Sequence, residues 1–177
     1  MIIPQTIEHR PGDRSTIYFT RSGVLGMPLR YMYNLDDMDD GDQVVNLGSD
    51  PVNSGHITLV IAWPGYKEVN YDIPVYIPLF TTDPFVTVYG FRQLTKRELA
   101  TEILRCIHWW MIEHPWSGER HQSIPEWKLS GERPGVSAKL LWLAMISPVG
   151  DGRWVTQLQT APHPRPVAGQ RGTRRFP

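Results

Sequence analysis

Cys106, His108, His114 and His121 fall within sixteen residues of one another. Thiols and imidazoles bind metals, and imidazoles move protons near neutral pH, so this segment is where chemistry would be sought first. The spacing does not suit a metal. On a helix, Cys106 and His108 sit about 200° apart around the axis and point away from each other. No paired-ligand zinc pattern is present, so neither a metal nor another cofactor is expected. A cysteine nucleophile needs a base in hydrogen-bond reach and a third group to orient it. Cys106 instead lies on an apolar stripe, where a thiol acts as a small hydrophobe with a raised pKa. The chain has no G-x-S-x-G elbow, no cysteine-protease signature and no G-x-x-x-x-G-K-S/T or G-x-G-x-x-G loop. No residue is therefore assigned a catalytic role.

The run Asp36-Asp37-Met38-Asp39-Asp40-Gly41-Asp42 suggests calcium. An EF-hand loop counted from Asp36 fails at its third position, Met38, and its twelfth, Leu47. Counted from Asp37, it places Gly41 where a ligand belongs and Asp42 where the turn glycine belongs. The run reads as a solvated acidic loop.

Aromatic density is the stronger signal. Trp109, Trp110, Trp116 and Trp127 fall within nineteen residues. Trp110 belongs to a helical apolar stripe, Trp109 is one position off it, and Trp116 and Trp127 sit among polar residues. The segment either folds back and buries them as a satellite cluster, or presents a Trp-lined surface to another protein, a sugar or a flat apolar ligand. Candidate binding residues are Trp109, Trp116 and Trp127, with His108, His114 and His121 around them. Two functions follow. One is a non-catalytic binding or interaction protein using the Trp-rich loop. The other is a small enzyme assembled from distant residues, with the three histidines as acid/base groups.

The elements that must position these residues are partly legible. Thr95 and Glu98 form a capping box, and Pro115 ends the helix that they open, predicting helix over 96–113. Leu99, Ile103, Cys106, Ile107 and Trp110 recur at helical spacing, widened by Ala100, Leu104 and Met111; Arg97, Thr101, Arg105 and His108 share the polar side. Ser15 to Thr20, Leu29 to Tyr33, Phe85 to Tyr89 and the short Gln43 to Leu47 read as strands. His56 to Trp63 is apolar throughout, which suits a central strand covered on both faces. Ile73 to Phe80 contains Pro74 and Pro78 and so reads as an edge strand or extended connection. Residues 138–147 and Arg153 to Gln159 flank a Pro148-to-Gly152 turn and read as a hairpin, with helix the competing reading for 138–147. The fold expected is α+β, a mostly antiparallel twisted sheet with the 96–113 helix across one face.

The chain of 177 residues, 41% hydrophobic and with seven Trp, can bury a core. Residues 15–160 read as one globular domain, preceded by a flexible arm over 1–14. Residues 161–177, rich in Pro and Arg, read as a disordered basic tail. The last 18 residues hold four Arg and no acid, leaving the rest with four acids in excess of a net charge of zero. That split is too small to argue for nucleic acid as a partner. One cysteine excludes an internal disulfide. The start lacks the basic and apolar regions of a signal peptide, and no stretch reaches the roughly 20 apolar residues of a membrane span. A cytoplasmic or nuclear location, no membrane partner and a homodimer are the expectations.

Three motifs together carry a resemblance: Trp63-Pro64-Gly65-Tyr66, the helix start Leu94-Thr95-Lys96-Arg97-Glu98-Leu99-Ala100, and Gly152-Arg153-Trp154-Val155-Thr156-Gln157-Leu158. Over residues 60–160 the chain resembles a group of uncharacterised small proteins from mushroom-forming fungi, with Arg153 standing where that group commonly has Ser. The resemblance implies one compact domain and brings no activity and no catalytic residue with it.

Overall fold

The computed structural model describes residues 16–31, 34–47, 55–64, 66–79, 90–114, 129, 136–160 and the backbone of 163–164. The helix, α1 (Lys96–Glu113), has the predicted bounds and a complete capping box at Thr95 and Glu98. Leu99, Ala100, Ile103, Leu104, Ile107 and Trp110 form its buried face, the stripe that the spacing predicts.

Strands precede and follow it. The N-terminal part holds β1 (Ile17–Tyr18), β2 (Thr20–Arg21), β3 (Val24–Leu25) and β4 (Met27–Pro28), then a turn of 3₁₀ helix over Leu29–Tyr31. The middle holds β5 (His56–Ile61), β6 (Val69–Pro74), β7 (Tyr76–Pro78) and β8 (Phe91–Gln93). After α1 come a 3₁₀ turn over Ala138–Leu140, then β9 (Trp142–Gly150), β10 (Arg153–Gln159) and β11 (His163–Pro164). The main sheet runs β1-β9-β10-β5-β6, with β4 also against β9. Only β5 with β10 is parallel; the other pairs are antiparallel. Two small ribbons, β11-β3-β2 and β7-β8, complete the α+β fold.

β5 is central, between β10 and β6, as its apolar run predicts. Ile57, Leu59 and Ile61 point into the cluster with the helix stripe. Val60, between them in sequence, is equally inaccessible to solvent but lies outside that cluster. Val155, Ala144 and Met145 of the neighbouring strands behave likewise. Both faces of the sheet's centre are therefore closed, which explains why β5 does not alternate apolar with polar.

The β9–β10 hairpin turns at Asp151 (φ 52°) and Gly152 (φ 69°), the left-handed pair that a two-residue hairpin loop requires. Strand β9 runs on through Pro148, which pairs with Trp154 beside a register shift. Gly26 (φ 116°) links β3 to β4; a Cβ there would lie 2.6 Å from Nε2 of Gln159. That buried amide donates to the Leu25 carbonyl at 2.7 Å and ties the small ribbon to β10.

The structure differs from the sequence reading in several places. The first hairpin strand begins at Trp142, with Ala138–Leu140 a 3₁₀ turn closed by the Leu141 amide on the Ala138 carbonyl, and it runs on to Gly150. The strand expected over 15–20 is broken at Phe19, whose amide donates to Ala144 and whose carbonyl accepts from Gly26. Leu29–Tyr31 is 3₁₀ helix because Leu29 still donates to Leu141 while the chain must turn away from β9. Gln43 to Leu47 makes one isolated bridge, Val44 to Thr95. The Pro-bearing stretch splits at Val75 into the end of β6, which is a sheet edge as its prolines require, and β7. The stretches 1–14 and 85–89 lie outside the described residues, as does 161–177 apart from β11. In the stretch after α1, Leu129 and Val136 are bridged. No helix among the described residues is long and apolar enough to cross a membrane.

Ile103 is fully buried at the centre of the helix stripe. Truncating it to Ala is expected to cost about 2–5 kcal/mol, read as a lower urea midpoint at unchanged slope. An unaltered midpoint would remove α1 from the core.

Candidate functional site

The start of α1 is fixed by the acidic segment. Lys96 and Arg97 donate their amides to the carbonyls of Gln43 (2.8 Å) and Gly41 (2.9 Å). The Glu98 amide donates to Oγ1 of Thr95 at 3.3 Å. These are amides that a helix leaves without partners in its first turn. The carboxylates are used too. Asp36 and Asp42 pair with Arg97 at 3.5 and 3.4 Å, and Asp37 pairs with Arg21. Asp39 accepts the amides of Ser22 (2.9 Å) and Gly23 (2.8 Å), both at positive φ in the β2–β3 turn. The Gly23 amide above all holds the Asp39 carboxyl below its usual range. Leu35 and Met38 of the same segment are buried in the core. The acidic run is therefore docked through its backbone and through Leu35 and Met38, while the carboxylates of Asp36, Asp37 and Asp42 stay exposed to solvent, as its composition suggests. No group of three or more metal-ligating side chains occurs among the described residues.

Glu98 accepts from Arg92 at 2.8 and 2.5 Å and from the Thr95 amide at 2.8 Å. The Arg92 guanidinium is the main reason its carboxyl titrates at about 2.

The far end of α1 divides the candidate residues. Trp110 is fully buried, with ring centroids 6.0 Å from Trp63, 5.3 Å from Tyr66 and 6.3 Å from His114. His114 caps the helix, its Nδ1 3.1 Å from the Trp110 carbonyl. The Tyr66 hydroxyl accepts from the Leu129 amide at 3.1 Å. This cluster is core. Trp109 points the other way and is 52% exposed, and Ile112, one turn on, is 56% exposed. The His108 ring lies 6.3 Å from that of Trp109. Arg105 and Glu102 form an ion pair one turn back. Trp116, Trp127 and His121 lie outside the described residues. The helix thus sets His108 beside Trp109 and His114 beside Trp110, on different sides. Ile112 was missed because, taken singly, an exposed isoleucine on a helix carries no signal; its meaning comes from Trp109 beside it.

Cys106 is half-buried against the core, and burial pushes its thiol up to about 11. Beside it on β6, the Tyr71 hydroxyl is buried with no hydrogen-bond partner among the described residues. Burial raises the pKa of that phenol, and the nearby Glu113 carboxylate and Cys106 raise it further. An open hollow of about 430 Å³ is lined by Gly55, Tyr76 and the exposed Phe91. Comparison with protein-family models, curated proteins and solved structures finds no match for the chain.

Two predictions follow from this geometry. Glu98 is held below its ordinary pKa of 4.5, so the stability it contributes is present above pH 4.5 and lost as pH falls towards 2. Glu98→Gln is expected to flatten that part of the acid limb in a pH series of melting temperatures; an unchanged limb would place the acid sensitivity elsewhere. Cys106, with its thiol near 11, is expected to react slowly with iodoacetamide at pH 8 in the native state and rapidly once unfolded. Fast native labelling would restore it as a nucleophile.

Proposed function

We propose that the protein is a non-catalytic interaction protein whose contact surface is the outer flank of α1 around Trp109 and Ile112. One observation carries this reading: a tryptophan and an isoleucine one helical turn apart are both more than half exposed, on a helix whose opposite face is wholly buried. Aromatic side chains are enriched at protein contacts and commonly anchor them. The flank is framed by the Arg105–Glu102 pair, as an apolar contact is framed by a polar rim. A helix exterior is convex, which suits a protein partner better than a sugar or a small apolar ligand, since those favour concave sites. The enzyme alternative has less behind it: the thiol of Cys106 is held protonated, and His108 and His114 are directed to different sides of α1.

Trp109→Ala with Ile112→Ala is expected to leave stability within about 1 kcal/mol of the parent, because both side chains are largely solvated. The same pair of changes is expected to weaken association by about 2 kcal/mol or more. Partners captured from cell extract with parent and variant, quantified against each other, provide the measurement. Proteins lost only with the variant support the surface; an identical set overturns it.

A further inference from the structure

We infer that the partner of this surface is a second copy of the chain, with β6 pairing antiparallel to β6 of that copy so that two sheets become one. The inference rests on the reading of the Trp109 flank as a contact surface and names what meets it.

β6 is the last strand of the main sheet, and among the described residues only β5 pairs with it. Hydrogen bonds fix which of its groups face outward. Thr58 donates its amide to Gly152, on the β10 side, so alternation turns Ile57, Leu59 and Ile61 towards β6. Their partners Ile73, Tyr71 and Val69 then face β5. The Val75 amide, which donates to Gly55, continues the same alternation. The amides and carbonyls of Asn70 and Asp72 therefore point away from the sheet, and both residues are exposed. Among the described residues nothing pairs with them.

Charge selects the register. Pairing centred on Asp72 sets that carboxylate opposite its own copy. Pairing centred on Asn70 sets Asp72 opposite Glu68. Like charges directly opposite each other are destabilising. Pairing centred on Tyr71 avoids both clashes: Asn70 of each copy faces Asp72 of the other, an amide against a carboxylate, and Glu68 faces Pro74. The outward amides and carbonyls of residues 70 and 72 are then exchanged on both sides of the two-fold axis. Pro74 has no amide to offer, so it limits the pairing to this central stretch. Tyr71 meets its own copy at the closer, non-hydrogen-bonded spacing, an aromatic cross-strand pair.

An edge of six residues is too small alone for a stable dimer, which buries about 1,200 Å² or more. The flank of α1 supplies the rest. Tyr71 lies within electrostatic reach of Cys106 and Glu113, so this side of the helix borders β6. Trp109 lies about 60° beyond Cys106 and about 40° beyond Glu113, turning away from the buried stripe. The exposed indole thus stands on the same side of the molecule as the open edge, where a second helix would lie alongside the first.

The test is sedimentation equilibrium of the full chain over a concentration series. The parent is expected to dimerise. Asn70→Asp, which opposes two carboxylates twice in the dimer, is expected to weaken dimerisation by about tenfold or more. Adding Asp72→Asn, which restores one acid and one amide per pair, is expected to recover most of that loss. Asn70→Pro, which removes an outward amide and leaves the β5 ladder intact, is expected to abolish the dimer while the circular dichroism spectrum and melting temperature stay close to the parent's. A parent that is monomeric up to its solubility limit overturns the inference, and capture of another protein through Trp109 would then leave the contact surface standing. A dimer lost with Trp109→Ala but unmoved by both Asn70 variants overturns the edge pairing alone.

Discussion

The first turn of α1 is the joint on which the rest of the structure depends. A helix starts with amides that have no partner inside it, and here the carbonyls of Gly41 and Gln43, the side chain of Thr95 and the carboxylate of Glu98 close that end. The segment that supplies the two carbonyls is also the acidic run, so its charge lies beside the positive end of the helix dipole and beside Arg97. The same segment sinks Leu35 and Met38 into the core and fastens the β2–β3 turn through Asp39. One stretch of chain therefore sets the angle of the helix, the position of the N-terminal ribbon and one border of the core.

Local signals made some of this legible and left the rest obscure. The capping box and the stripe from Leu99 to Trp110 are complete within eighteen residues, so α1 could be read end to end. The β9–β10 hairpin was legible for a similar reason, since Asp151-Gly152 encodes the turn without outside help. The docking of the acidic run was not legible because its partners are distant in sequence: Arg97 lies sixty-one residues from Asp36. Its exposed carboxylates show in the composition, whereas the backbone carbonyls that receive the helix amides carry no sequence signal. Leu29 to Tyr31 failed differently. Aromatic and apolar composition resembles a strand, but the chain must bend there to carry Leu35 and Met38 under the sheet.

The candidate surface was half legible. Trp110 could be assigned to the core and Trp109 placed one position outside it, because 100° steps around a helix separate neighbours without any tertiary knowledge. What sequence could not supply was the location of that outward flank relative to the sheet. The residues Val69 to Asp72 that begin β6 carry no strand signal of their own. Pro74 marks the end of β6 as an edge from sequence alone, but that Val69 to Asp72 share that edge appears only once β5 is seen to pair β6 on one side and β10 on the other.

Rigidity links the joint to the surface. An exposed tryptophan on a flexible loop must be immobilised on binding, at about 0.5–1.5 kcal/mol for its side chain alone and more for its backbone. Trp109 sits on backbone already fixed by the capped first turn, by the buried stripe and by the stacking of Trp110 on His114 at the other end. Only the indole remains to be ordered. Its neighbour Trp110 contributes by being unable to move: packed against Trp63 and Tyr66, it holds the last turn of α1 so that Trp109 faces outward. The buried tryptophan is in this sense part of the contact surface, because it determines where the exposed one points.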